Sequence, residues 1–303
     1  MRVPDLPPFT FASVFTEWGL DPVLFIGTVW VAGAYAYGVW RLRERGDSWS
    51  WGRVAAFEIG GVGSFMVATQ SGIGAYDTTL LSVHMVQHMI LSMVVPLFLA
   101  LGAPVTLMLR VFAPRPRRWL MALLHSRVAK VLSFAPLAFS LYVFSPWALY
   151  FTDWYEASLR STYVHEMMHV HLVLVGSLFF WPLLGTDPVP GRMPYPFRLL
   201  TIFLTLPFHA FLGVTIMDQE KLLGGDWYPS LHANMSWLPD PLADQHVAGA
   251  ILWASGDAIG LMFFAVLFVQ WVRSSMQEAK REDRRLDRLE REGAVAGYDQ
   301  PRE

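Results

Sequence analysis

Residues 78–101 read TTLLSVHMVQHMILSMVVPLFLAL, a stretch without one Lys, Arg, Asp or Glu. About 20 apolar residues let a helix cross the ~30 Å hydrocarbon layer of a bilayer. No water serves the backbone there, so a run this long must close its own hydrogen bonds and reads as a helix. His84 and His88 stand inside it, and ionisable groups at membrane depth are costly and usually functional.

Six further stretches qualify, at approximately 22–40, 54–70, 130–151, 158–184, 199–217 and 247–272. The expected fold is therefore all-α, a polytopic membrane protein with seven transmembrane helices. Composition agrees. The chain of 303 residues is 54% hydrophobic and only 16% charged, against roughly 25% charged in soluble domains. Residues 273–303 alone hold eight of the 23 basic and eight of the 25 acidic residues, and the net charge is -2. These values exclude a soluble globular enzyme, a disordered chain and a nucleic-acid binder.

Basic residues set the expected orientation. Twenty of them follow spans one, three, five and seven or precede the next span; the alternate segments hold only Arg2, Arg160 and Lys221. By the positive-inside rule the N-terminus lies outside and the C-terminus in the cytoplasm. Residues 1–272 form the seven-helix transmembrane domain and 273–303 a charged cytoplasmic tail, a solvated helix with Leu286 and Leu289 three apart. Trp147, Tyr150, Trp154 and Tyr155 fall to an outer aromatic belt, and Trp40, Trp49 and Trp51 to an inner one. The first residues, with Arg2, Asp5 and three prolines, do not read as a signal peptide.

Depth then sorts the nine histidines. His84, His88, His165, His169, His171, His209, His232 and His246 belong to the outer half and His125 to the inner side. His84/His88 and His165/His169 are each four apart, so each pair shares a helix face. Two such helices, with His209 as a further candidate, would present imidazoles to one metal ion. Cysteine is absent, which removes thiolate sites. Imidazole suits copper, zinc, iron or nickel, and thioethers from Met85, Met89, Met167, Met168 or Met217 would favour Cu(I). Glu166, Asp257, Met217 and His246 are candidates for the layer around those ligands. Packing is the ordinary role of His171 and of each methionine, and His125 reads as a surface residue. Two other readings compete. His165-Glu166-Met167-Met168-His169 matches the H-E-x-x-H pattern of zinc proteases, here inside a membrane. Paired histidines in a bundle also suit bis-histidine haem.

Several blocks carry a resemblance: His84-Met-Val-Gln-His88 running into Pro96 and Leu101-Gly-Ala-Pro104; His165-Glu-Met-Met-His169 running into Gly176 and Phe180-Trp-Pro182; Pro207-Phe-His209 with Gly213; and Asp244-Gln-His-Val-Ala-Gly249 with Trp253. From span three onward the chain resembles the multi-span CtaG assembly factors of caa3-type cytochrome c oxidase. It does not resemble the single-span copper chaperones that share that name and use cysteines. One departure is His246, where the family tends to carry a second glutamine. The resemblance implies a bacterial plasma-membrane protein, not an enzyme, needed to build haem-copper oxidase. It also implies oxidase subunits and an extracytoplasmic copper donor as partners. Copper handled at His84, His88, His165, His169 and His209 is the expected cargo, with zinc or haem as alternatives and no nucleic acid.

Overall fold

The computed structural model describes residues 6–233 and 235–298, and among them there is helix and loop but no strand. Seven helical segments organise the chain: α1 (Pro22–Glu44), α2 (51–70), α3 (Leu81–Val111), α4 (Ala135–Phe151), α5 (Thr162–Leu184), α6 (Tyr195–Asp218) and α7 (Pro241–Tyr298). Five of these, α1, α3, α5, α6 and α7, are long and apolar enough to cross a membrane. The apolar α4 is shorter, and α2 divides into α, π and α pieces. All seven expected stretches are helical. No break separates the expected tail from α7, whose residues 281–289 are all exposed. Residues 299–303 of that tail lie outside the described residues.

The connections meet at two opposite ends. At one, Arg110 pairs with Asp47, and Thr106 binds the Asp187 carboxylate. At the other, the Trp227 indole donates to the Thr78 carbonyl at 2.8 Å and Arg160 pairs with Asp226. Successive apolar helices therefore run up and down between a basic end and an end rich in aromatic side chains.

Local sequence explains the irregularities of α3. Pro96 has no N–H to give to the Ser92 carbonyl, and the turn just before it, Ile90–Val94, widens into π-helix. The freed Ser92 carbonyl faces α5, where a Cβ on Gly176 would lie 2.2 Å from it. Glycine is what lets the two histidine-bearing helices touch. A second close crossing joins α6 to α7 at Gly213 and Gly249, where a Cβ on either would lie 2.6 Å from the other's carbonyl oxygen. Small residues at crossings are how membrane helices approach closely enough to gain packing energy.

Burial corrects the expected aromatic belts. Tyr150 and Tyr155 lie inside the bundle beside the histidines, and Trp49 is buried against Tyr35. Trp40 and Trp51 are exposed, as a belt requires. A phenol carries a hydroxyl that an internal polar cluster can use, and the cluster outcompetes the interface for it.

Gly176→Val should force α3 and α5 apart, with an overpacking cost of about 1–3 kcal/mol. Gly33→Ala, where a Cβ meets nothing within 4 Å, should leave stability unchanged or raise it slightly, because alanine is the better helix former. Thermal unfolding of the detergent-solubilised chain checks the pair: Tm should fall by several degrees in the first only.

Candidate metal centre

Helical registry brings the two histidine pairs together. The Ser161 side chain caps α5 by accepting from the Val164 N–H, which places His165 and His169 one and two turns into the helix. His84 and His88 occupy the first turns of α3, immediately after the loop that contains Asp77. All four imidazoles are buried. Ring centroids are 3.9 Å apart for His84–His88, 4.5 Å for His165–His169 and 5.9 Å for His84–His165. Imidazoles bound about 2 Å from one ion have centroids no more than about 6 Å apart, so the spacing is compatible with a shared cation.

The hydrogen bonds decide which nitrogens are free. Gln87 Nε2 donates to Asp77 Oδ2 at 2.7 Å and to the Ala68 carbonyl at 3.0 Å. Its Oε1 must then be an acceptor, so His169 Nε2, 3.0 Å away, carries the proton of that bond. His165 Nε2 likewise donates to Asp77 Oδ2 at 2.9 Å. Both rings are thereby fixed as the Nε2–H tautomer with a bare lone pair on Nδ1, and neither Nδ1 has a partner. His88 is held from the other side. The Tyr150 hydroxyl lies 2.6 Å from His88 Nδ1 and 3.3 Å from Met85 Sδ, and His88 Nε2 has no partner. His84 has no partner on either nitrogen.

Each bare, buried polar atom costs about 1–3 kcal/mol. Four imidazoles bearing such atoms, three of them oriented through the opposite nitrogen, match how metal-binding histidines are held. Asp77 adds a carboxylate. One ligand-type atom each from Asp77, His165 and His169 lies within 4.8 Å of the others; the nitrogens nearest the carboxylate are the Nε2 atoms, at 2.9 and 3.8 Å, so Asp77 would meet a cation only in place of those hydrogen bonds. The donor set fits a first-row transition ion. Aromatic residues cover it from outside: Tyr155 lies 4.9 Å from the His84 ring and is hydrogen-bonded to Tyr228. Burial pushes both phenols well above the ordinary tyrosine range, so they stay neutral.

The other expected site residues lie elsewhere. His209 on α6 donates from Nδ1 to the Thr205 carbonyl and shares a small cavity of about 30 Å³ with His88, Met85 and Tyr150, on the far side of His88 from His165 and His169. Asp257 accepts from the Trp253 indole at 3.0 Å on its own helix. Met217 packs on Gly249, and His246 is exposed. Glu166 turns towards Asp21 at the start of α1. Thus the groups hydrogen-bonded to the imidazoles are Asp77, Gln87 and Tyr150, in place of the expected Glu166 and Asp257. His171 bonds Ser145, His232 bonds backbone carbonyls and His125 is exposed. The Asp244-Gln245 block is structural: Asp244 caps the start of α3 at the Ser82 N–H, and Gln245 ties down the chain at Leu223.

Residues 33–274 match the Cytochrome c oxidase caa3 assembly factor family. The chain belongs to that family. An uncharacterized protein of Mycobacterium bovis is 41% identical over 291 residues, and one of Mycobacterium leprae is 37% identical over the same length. Each alignment covers 93% of this chain but 44% of the relative, so the chain spans under half the length of these mycobacterial proteins. No solved structure matches. The assembly-factor family match contains every residue of the histidine cluster and its three orienting partners.

Signals for the missed partners were present. Gln87 is an amide in a run otherwise empty of long polar side chains, and Asp77 is the last acid before that run. Asp77→Ala would strand the Gln87 amide and the His165 N–H in a buried place, at about 1–3 kcal/mol for each group. Metal-free Asp77→Ala should therefore unfold at clearly lower temperature than wild type. An unchanged Tm would mean that the hydrogen-bond chain does not form.

Proposed function

We propose that this chain is a seven-helix assembly factor for haem-copper cytochrome c oxidase that receives and passes on copper through its buried histidine cluster. In this reading it sits in the bacterial plasma membrane with the N-terminus outside and 273–303 as a cytoplasmic tail, its cluster in the outer half. Membership of the family supports the oxidase role. The observation that carries the copper reading is the set of bare nitrogens on four converging imidazoles.

Copper here is cargo, and the chain acts as a carrier with no substrate to turn over. Neutral imidazoles release a cation by exchanging one donor at a time, and four donors from two helices supply such a ladder. Asp77 would offset part of the ion's charge, while Gln87 fixes the His169 tautomer and Tyr150 holds the His88 ring in place. Met85 lies against the same tyrosine, which gives the site a thioether neighbour of the kind that favours Cu(I). An extracytoplasmic donor would load the site and oxidase subunits would empty it.

A zinc hydrolase is the second reading, because Asp77 completes a His-His-Asp group around the H-E-x-x-H string. Against it, the Glu166 carboxyl that would act as base turns to Asp21. A haem protein would need room for a macrocycle between rings that here stand 3.9 to 5.9 Å apart.

Elemental analysis of the detergent-purified protein should find about one copper per chain, and far less in a His84→Ala/His88→Ala double variant. Gln87→Leu should weaken binding by about 10- to 100-fold. In cells, His84→Ala or His169→Ala should lower oxidase activity while the protein stays inserted and abundant. Normal oxidase in both variants would remove the site from the pathway. A Soret band would select the haem reading, and loss of function with retained zinc in Glu166→Gln would select the hydrolase.

A further inference from the structure

The basic end of the bundle holds cations that, among the described residues, have no acid partner, alongside the paired Arg110 and Arg41. Lys130 and Arg192 flank a cleft of about 480 Å³ between the start of α4 and the 185–194 loop, with Phe134, Met193, Pro194 and Phe197 among its walls. Neither cation has a carboxylate within 4.0 Å among the described residues. Asp187, the one acid in that loop, is already engaged by the Val105 and Thr106 N–H groups, the Thr106 hydroxyl and the Trp181 indole. Arg198 adds a third charge beside Arg192: a Cβ on Gly185 would lie 3.1 Å from one guanidinium and 3.2 Å from the other. It is 3% exposed and bonded only to the Leu183 and Met193 carbonyls. The chain has no acid at all between Asp77 and Asp153, or between Asp187 and Asp218.

Arg198 is accounted for by the free carbonyls at the end of α5, where a cation also meets the negative end of the helix dipole. Lys130 and Arg192 are not. Their cleft has a fixed floor, because Gly191, at φ 85°, sits so close to Ser133 that a Cβ would lie 2.1 Å from its carbonyl oxygen. Its walls are apolar and continue onto Phe134 and Phe197, each more than half exposed on the outside of the bundle.

We infer that this cleft is a binding site for an anionic phospholipid. The phosphate lies between Lys130 and Arg192, and an acyl chain runs along Phe134 and Phe197. A phosphate relieves the repulsion among three neighbouring cations, and two apolar rings at bilayer level give the chain its track. A zwitterionic lipid brings its own ammonium to the same place and loses the advantage. Each surface Lys or Arg near an anionic headgroup contributes roughly a few-fold in affinity, so two acting together give about tenfold. The bound lipid fastens the 185–194 loop to α4, independently of what the histidine cluster carries.

The test uses the full chain in neutral detergent, titrated with phosphatidylglycerol, phosphatidylcholine or inorganic phosphate, with thermal unfolding and native mass spectrometry as readouts. Phosphatidylglycerol should bind and raise Tm, and the other two should not. Lys130→Gln/Arg192→Gln should weaken phosphatidylglycerol about tenfold, and each single variant about threefold. Arg117→Gln/Arg118→Gln removes two charges outside the cleft and should leave affinity within about twofold. Equal weakening in both double variants would reduce the effect to general surface charge and overturn the site. Equal binding of phosphatidylcholine, or equal stabilisation by inorganic phosphate, would overturn the lipid assignment. Should the double variant fail to fold, the single variants decide.

Discussion

The chain His165–Asp77–Gln87–His169 is the constraint on which the histidine-bearing half of the bundle depends. Removing a carboxylate and an amide from water is costly, and in a membrane no solvent can take up what a helix leaves unbonded. Here the cost is offset by mutual satisfaction. Asp77 accepts from His165 and Gln87, and Gln87 reaches the Ala68 carbonyl as well. Those bonds lock α2, α3 and α5 to one another and to the loop before α3. They also dictate tautomers, which leave the Nδ1 lone pairs of His165 and His169 without a partner.

Backbone geometry serves the same end. Just beyond the second histidine of α3 the helix widens into a π turn before Pro96. Gly176 then lets α5 approach to backbone contact. π segments inside helices often accompany functional sites, and this one lies a single residue from His88. Tyr150 joins a third element, α4, to the cluster through a hydroxyl that touches both an imidazole and a thioether.

The two ends of the bundle differ in how they treat charge. At the end that holds the histidines acids outnumber bases, Arg160 pairs with Glu156 and Asp226, and aromatic rings pack against the imidazoles. At the basic end the cations are numerous and mostly unpaired, and the one buried acid in the 185–194 loop caps a helix.

Sequence by itself determined the helices, because long uncharged apolar runs have one way to satisfy their backbone in a bilayer. It also determined that two histidine pairs each share a face, since that follows from 3.6 residues per turn. It carried the family resemblance in its blocks around His84, His165 and His209. Tertiary structure alone decided who stands opposite those faces. Asp77 lies 88 residues from His165, Tyr150 lies 62 from His88, and no local periodicity encodes such pairings. For the same reason His209 meets the cluster only at the small cavity it shares with His88 and Tyr150, and Glu166, adjacent to His165 in sequence, turned to α1. Depth and spacing constrain one helix at a time, whereas a cluster of polar groups depends on the rotation of several helices about their axes, and only their packing sets that.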